Sequence, residues 1–72
     1  MSNNEEVVER LLNHFNLTMS AIEKRLGISN GTLGKYKRGA ISTPFSLITG
    51  LKLNNLNPDY FLTGEGSPEI GS

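Results

Sequence analysis

The chain contains no cysteine and no tryptophan. Without cysteine it has neither a disulfide framework nor a thiolate zinc site to reinforce a small core. No apolar run approaches the roughly 18–20 residues that span a bilayer, and the N-terminal MSNNEEVVER is acidic rather than led by Lys or Arg. That start reads as neither signal peptide nor anchor, so a cytoplasmic protein with no membrane contact is expected. The sequons Asn16-Leu17-Thr18 and Asn30-Gly31-Thr32 then have no meaning as glycan sites. Aromatics are few, two Tyr and three Phe, and hydrophobic residues make up 36% of the 72 positions. One domain at most fits this length, and a chain so small buries only about 60% of its unfolded surface. The composition still suffices for a compact all-helical domain.

Net charge is also missing, since seven Lys and Arg balance seven Asp and Glu. The charges are nevertheless segregated. Acids lie mostly toward the ends (Glu5, Glu6, Glu9, Asp59, Glu65, Glu69). Residues 23–38 hold five bases, Lys24, Arg25, Lys35, Lys37 and Arg38, against the single acid Glu23, a local charge of +4. Local sign, not the total, governs attraction of an anionic partner.

Along the chain the apolar residues recur at helical spacing and no strand pattern or internal repeat occurs. Ser2…Glu5 and Asn3…Glu6 both have capping-box spacing, and acids follow in the first turn. Val7, Val8, Leu11, Leu12 and Phe15 form one apolar stripe, predicting a first helix over about Asn4–Asn13. Thr18 is the expected N-cap of a second helix, with Ser20…Glu23 as a competing capping box. Ile22 and Leu26 mark its buried side, and Gly27 closes it. Ser29 is placed to cap a third helix, Asn30 to Lys37 or Arg38, with Leu33 and Tyr36 inward and Gly31, Lys35 and Arg38 on the opposite face. Gly39 ends it. Thr43-Pro44 reads as cap and first residue of a fourth helix, in which Phe45, Leu47, Ile48, Leu51 and Leu53 are apolar and which reaches about Lys52. Asn57-Pro58 repeats that start for a short fifth helix, Pro58–Leu62. The final TGEGSPEIGS has the composition of a flexible tail or linker.

The segment LGISNGTLGKYKRG (26–39) combines four glycines with three bases, and its chemistry admits two readings. A phosphate-binding loop needs Gly, four residues, then Gly-Lys-Ser/Thr after a strand. Around Gly34-Lys35 the first required glycine is Ser29, the hydroxyl position is Tyr36, and no strand precedes. That reading fails. The order of features instead fits two helices joined by a short Gly-containing turn, the helix-turn-helix unit.

Residues 18–39, TMSAIEKRLGISNGTLGKYKRG, resemble the helix-turn-helix of lambda-repressor-like transcriptional regulators of phage and plasmid type. Residues 56–66, LNPDYFLTGEG, resemble the aromatic-Leu-Thr-Gly-Glu ending after the last helix in the phage-repressor (CI-like) branch. The small Ala usual four residues before the turn glycine is Glu23 here. EKRLGISNG (23–31) matches a subset that carries Glu, which would hydrogen-bond backbone N–H groups or Ser29 across the turn. A Trp usual in the ending is Tyr60. The resemblance implies a five-helix all-α bundle over residues 1–66, with 67–72 as a flexible tail or the start of a linker to a further domain. It also implies a transcriptional repressor that binds a double-stranded DNA operator as a homodimer or higher oligomer assembled through a C-terminal region.

In such a unit the start of the third helix meets base edges in the major groove. By motif position these residues are Asn30, Gly31 and Thr32, with Lys35 one turn on. Asn30 is suited to adenine N6/N7, the Thr32 methyl to thymine and Lys35 to guanine O6/N7 or a phosphate. Asn30 is equally suited to a plain helix start. Thr18, Ser20, Lys24, Arg25, Ser29, Lys37 and Arg38 are the candidate phosphate contacts, and Gly27 makes the turn. Gly31 and Gly34, each costing about 1 kcal/mol against Ala inside a helix, fit either close backbone approach to a partner or neutral drift. His14 has no Cys, second His or Ser/Asp partner at useful spacing. Neither it nor Glu5/Glu6 forms a catalytic constellation, so no enzyme, cofactor, metal or small-molecule substrate is expected. Phe45, Tyr60 and Phe61 are read as core or interface residues. The rival reading is a protein-interaction module or antitoxin of the same fold, whose third-helix face binds a protein.

Overall fold

The computed structural model describes residues 3–70. It contains five helices: α1 (Asn4–Phe15), α2 (Met19–Leu26), α3 (Thr32–Lys37), α4 (Phe45–Leu53) and α5 (Pro58–Thr63). Among the described residues no helix is long and apolar enough to cross a membrane. The only strand-like pairing among them is a single bridge between Leu56 and Glu69.

Local chemistry sets most helix ends. Asn3 Oδ1 accepts the Glu6 N–H at 2.9 Å, so the Asn3…Glu6 signal is used; Ser2 lies outside the described residues. Helix α1 runs past Asn13 to Phe15 and stops where Asn16 turns left-handed, φ 55°. Thr18 Oγ1 accepts the Ala21 N–H at 3.3 Å and caps α2. Asn57 caps α5 by accepting the Asp59 N–H at 3.1 Å, with Pro58 at the first helical position. That helix extends one residue beyond Leu62, to Thr63, where Gly64 closes it with φ 83° and an N–H bond to Tyr60 O.

Two starts differ from expectation. Helix α3 begins at Thr32 rather than Asn30, because Gly31 adopts φ 88° and cannot continue a right-handed helix. Ser29 gives no side-chain cap there; its carbonyl accepts the Thr32 N–H at 3.1 Å. Helix α4 starts at Phe45 with Pro44 just outside it and no side-chain cap. The Thr43 hydroxyl bonds the Tyr36 hydroxyl instead, at 3.3 Å.

The core consists of Val7, Val8 and Leu11 from α1, Ile22 and Leu26 from α2, Leu33 and Tyr36 from α3, Leu47 and Leu51 from α4, and Phe61 from α5, joined by the loop residues Ile28 and Leu56. Helix α1 packs on α2, α3 and α5, while α2 also meets α3 and α4. Helices α2 and α4 approach tightly at Gly50, where an added Cβ would clash with Leu26 O. The apolar composition of α4 misleads at its two ends: Phe45 is 80% and Leu53 79% exposed, so neither belongs to the core. Phe61 is fully buried and Tyr60 half-buried, with their rings edge to face.

Residues 67–70, the described part of the segment expected as tail or linker, pair with the α4–α5 loop. The Asn57 N–H donates to Pro68 O at 2.8 Å and the Ile70 N–H to Asn55 O at 3.0 Å, while Asn57 Nδ2 donates to Ser67 O at 3.1 Å. Gly71 and Ser72 lie outside the described residues.

Candidate nucleic-acid interface

Glu23 organises the stretch from α2 to α3. Its backbone carbonyl accepts the Ile28 N–H at 2.8 Å and also the N–H of Gly27, which closes α2 with φ 74°. Ile28, buried at 6% exposure, pins the connection to the core. The Glu23 carboxylate then crosses the turn: Oε1 accepts the Gly31 N–H at 3.1 Å and Oε2 the Leu33 N–H at 2.8 Å. The first N–H groups of any helix lack internal partners. Here a side chain of the preceding helix supplies them, and its negative charge suits the positive end of the α3 dipole. Glu23 is 3% exposed, so the competing Ser20…Glu23 capping box is not formed.

That burial changes the surface. Lys24, Arg25, Lys35, Lys37 and Arg38 are all exposed, while the one acid among residues 23–38 is withdrawn from solvent. The segment therefore presents its bases without an exposed acid of its own.

At the start of α3, Ser29 and Asn30 stand exposed in the turn, and the Ser20 hydroxyl donates to Asn30 Oδ1 at 3.4 Å. This bond joins the first turn of α2 to the residues ahead of α3. Thr32 is half-buried in the first turn of α3, and Lys35 projects into solvent. At the far end of α3, Asn4 Nδ2 donates to Tyr36 O at 2.7 Å and fastens that end to α1. Lys37, Arg38 and Gly39 line a shallow cleft there with Asn3, Asn4 and Glu5, so one acid shares the cleft with this basic end.

Two positions depart from the expected arrangement. Gly31 does not share a helical face with Lys35 and Arg38; it sits ahead of α3, and its left-handed φ accounts for the glycine. Gly34 is helical, and a Cβ there would meet only Arg38 Nη1, at 3.7 Å, an ordinary contact. Nothing in the fold requires glycine at position 34.

The structure thus brings Ser20 of α2 to Asn30, with Ser29, Gly31 and Thr32 next to Asn30 in the chain and Lys35, Lys37 and Arg38 along and just after α3. Thr18 caps the start of α2, its hydroxyl accepting the Ala21 N–H. Ser20 and Lys24, four residues apart, share one side of α2. Arg25 is separated from this group. It lines a cleft with His14, Phe15, Asn54 and Leu56, about 100° round α2 from Lys24. His14 itself packs edge-to-face on Phe15 and Phe61, a packing role.

Three structural contributors gave no local signal. Asn4 acts on a carbonyl 32 positions away. Arg10 Nη1 donates to Phe61 O at 3.1 Å, 51 positions away, and its guanidinium lies over Gly64. Gly50 is needed only because α2 and α4 meet there.

The chain matches no family model, no curated protein and no solved structure.

Proposed function

We propose that this chain binds double-stranded DNA sequence-specifically through α2 and α3 used as a helix-turn-helix, and acts as a transcriptional repressor of the lambda-repressor-like, phage-type class. The observation that carries the proposal is the burial of Glu23. It leaves Lys24, Lys35, Lys37 and Arg38 exposed with no exposed acid among residues 23–38, a surface suited to a polyanion although the whole chain is neutral.

In the proposed complex α3 enters the major groove start first. Asn30, oriented by Ser20, pairs with an adenine edge; Thr32 presents its methyl to thymine, and Lys35 reaches a guanine or a phosphate. Lys37, Arg38 and Lys24 neutralise backbone phosphates on either side, with Thr18, Ser20 and Ser29 as hydroxyl donors. Gly34, free of any demand from the fold, lets the helix backbone come close to the duplex. Arg25, on the other flank, makes a weaker contribution or none.

The test is duplex binding by fluorescence anisotropy, with the sequence obtained by selection from a random pool. Log K should fall linearly with log salt at a slope of about −0.9 per neutralised phosphate. Lys35→Ala should relax selection at one base pair, whereas Lys37→Ala should weaken all duplexes alike. A flat salt response, with tight binding to an acidic protein instead, would replace this reading by the protein-interaction one.

A further inference from the structure

Asn30-Gly31 is the only Asn-Gly pair in the chain; the other seven asparagines precede larger residues. An asparagine side-chain amide is open to attack by the backbone nitrogen of the next residue, which closes a five-membered ring and expels ammonia. The reaction is easiest before glycine, where no Cβ crowds the nitrogen. Three features of the fold bear on it here. The Gly31 N–H, the nucleophile, donates to Glu23 Oε1 at 3.1 Å, and burial of Glu23 holds that carboxylate in place. The Ser20 hydroxyl donates at 3.4 Å to Asn30 Oδ1, on the carbonyl that the nitrogen attacks. A Cβ at Gly31 would meet no atom within 4 Å, so the space for a ring is open, and both Asn30 and Gly31 are exposed to water.

We propose that Asn30 is a self-modification site, whose conversion to aspartate and isoaspartate is promoted by Glu23 as base and Ser20 as donor to the carbonyl. Glu23 takes the proton of the Gly31 N–H as the nitrogen forms its bond to Asn30 Cγ. The Ser20 hydroxyl stabilises the negative charge that gathers on Oδ1 in the tetrahedral intermediate. The Cγ–Nδ2 bond then breaks, and Nδ2 leaves as ammonia with the proton that Glu23 had accepted. Water opens the resulting succinimide at one of its two carbonyls. Addition at Cγ gives aspartate. Addition at the main-chain carbonyl gives isoaspartate, in which the backbone runs through the side chain. Water is the only other reactant.

The product changes the surface around it. Either form places an exposed acid among residues 23–38, where none stands before, and removes the NH₂ donor of Asn30. Modification then acts as a one-way clock that turns the reading face off. Loss of a bidentate adenine contact corresponds to about 5–150-fold weaker binding of the selected duplex. This consequence, unlike the chemistry, rests on the DNA proposal.

The test follows the chain at neutral pH and body temperature. Trypsin releases residues 26–35 as one peptide, because Arg25 precedes it and Lys35 ends it. Exchange of NH₂ for OH adds about one dalton to that peptide, and an isoaspartyl methyltransferase labels the isoaspartate. Conversion should appear at Asn30 well ahead of the other asparagines, and at least about tenfold faster in the folded chain than in concentrated urea at the same pH. Asn30→Gln, whose longer arm disfavours the ring, should keep its amide. Glu23→Gln keeps an acceptor but no base and should react about tenfold more slowly; Ser20→Ala, at an exposed position, should be slowed severalfold. Both variants also loosen the turn, and a turn that merely restrained Asn30 would react faster once loosened, so the sign separates promotion from restraint. Should Glu23→Gln fold poorly, Ser20→Ala and the comparison with urea still decide. A folded rate no higher than the unfolded one, or variants as fast as the parent or faster, would overturn the proposal. The aged chain should also lose duplex affinity, while aged Asn30→Gln keeps that of its fresh form. Conversion at Asn30 with no duplex binding by either form would leave the chemistry standing and remove only the DNA reading.

Discussion

Replacement of Glu23 by Ala removes the acceptor for two N–H groups that start α3, and the structure allows the loss to be estimated. Gly31 is exposed, so water takes over its N–H at small cost. Leu33 has no exposed surface, so its N–H stays dry and unsatisfied, costing about 1–3 kcal/mol. Loss of a capping acceptor typically costs about 0.5–2 kcal/mol. Release of a buried carboxylate from its desolvation penalty returns part of this. A net loss of about 2–3 kcal/mol is expected, out of about 4–11 kcal/mol for a chain of this size. For a domain of 60–100 residues each kcal/mol moves Tm by about 4–8 °C, so thermal unfolding followed by circular dichroism should show a fall of about 10–20 °C. Glu23→Gln keeps one carbonyl acceptor but turns an NH₂ toward the other donor, and should lose about half as much. Hydrogen exchange gives the local readout: the Leu33 amide should lose protection well before amides of α1. A Tm within about 3 °C of the parent, with Leu33 protection unchanged, would mean that α3 is not held by Glu23.

Other perturbations follow from the same contacts. Gly50→Ala drives a Cβ to 2.2 Å from Leu26 O; backbone must move, so a loss of about 3 kcal/mol or more is expected, and an unchanged urea midpoint would contradict the packing. Gly34→Ala meets only Arg38 Nη1 at 3.7 Å, so the free chain should gain about 1 kcal/mol of stability. Duplex affinity should fall at the same time, a divergence that calorimetry and anisotropy together would detect. Arg10→Ala removes the bond to Phe61 O and the cover over Gly64, with an expected loss of about 1–2 kcal/mol and earlier exchange of the Gly64 amide, whose N–H caps α5.

How much of the molecule can be read without coordinates depends on how far each interaction reaches along the chain. Caps at Asn3, Thr18 and Asn57 are closed by N–H groups two or three positions on, and the glycine stops at Gly27 and Gly64 are equally local. The Gly27 turn and the run of bases are legible in the same way, since they lie within one short segment. What was misplaced there is α3's start: a serine with good capping chemistry stands at position 29, but Gly31 turned left-handed and the cap came from Glu23, eight and ten positions back. Arg25 beside Lys24 looks equivalent in the sequence, yet one position rotates it to another flank. Phe45 and Leu53 fit an apolar pattern that cannot say whether an apolar face meets the core or solvent.

By itself, then, the sequence determined the all-α class, the five helices and the concentration of positive charge between residues 24 and 38. Helical periodicity and capping act over a few residues, and charge is a property of composition. Only tertiary structure decided that Glu23 is buried as the cap of α3, that Asn4 and Arg10 fasten distant helix ends, that Gly50 admits α2 against α4, and that Phe45 and Leu53 stand exposed. Those outcomes depend on which helix faces meet in space, and two segments 32 or 51 positions apart acquire a shared geometry only when the core brings them together.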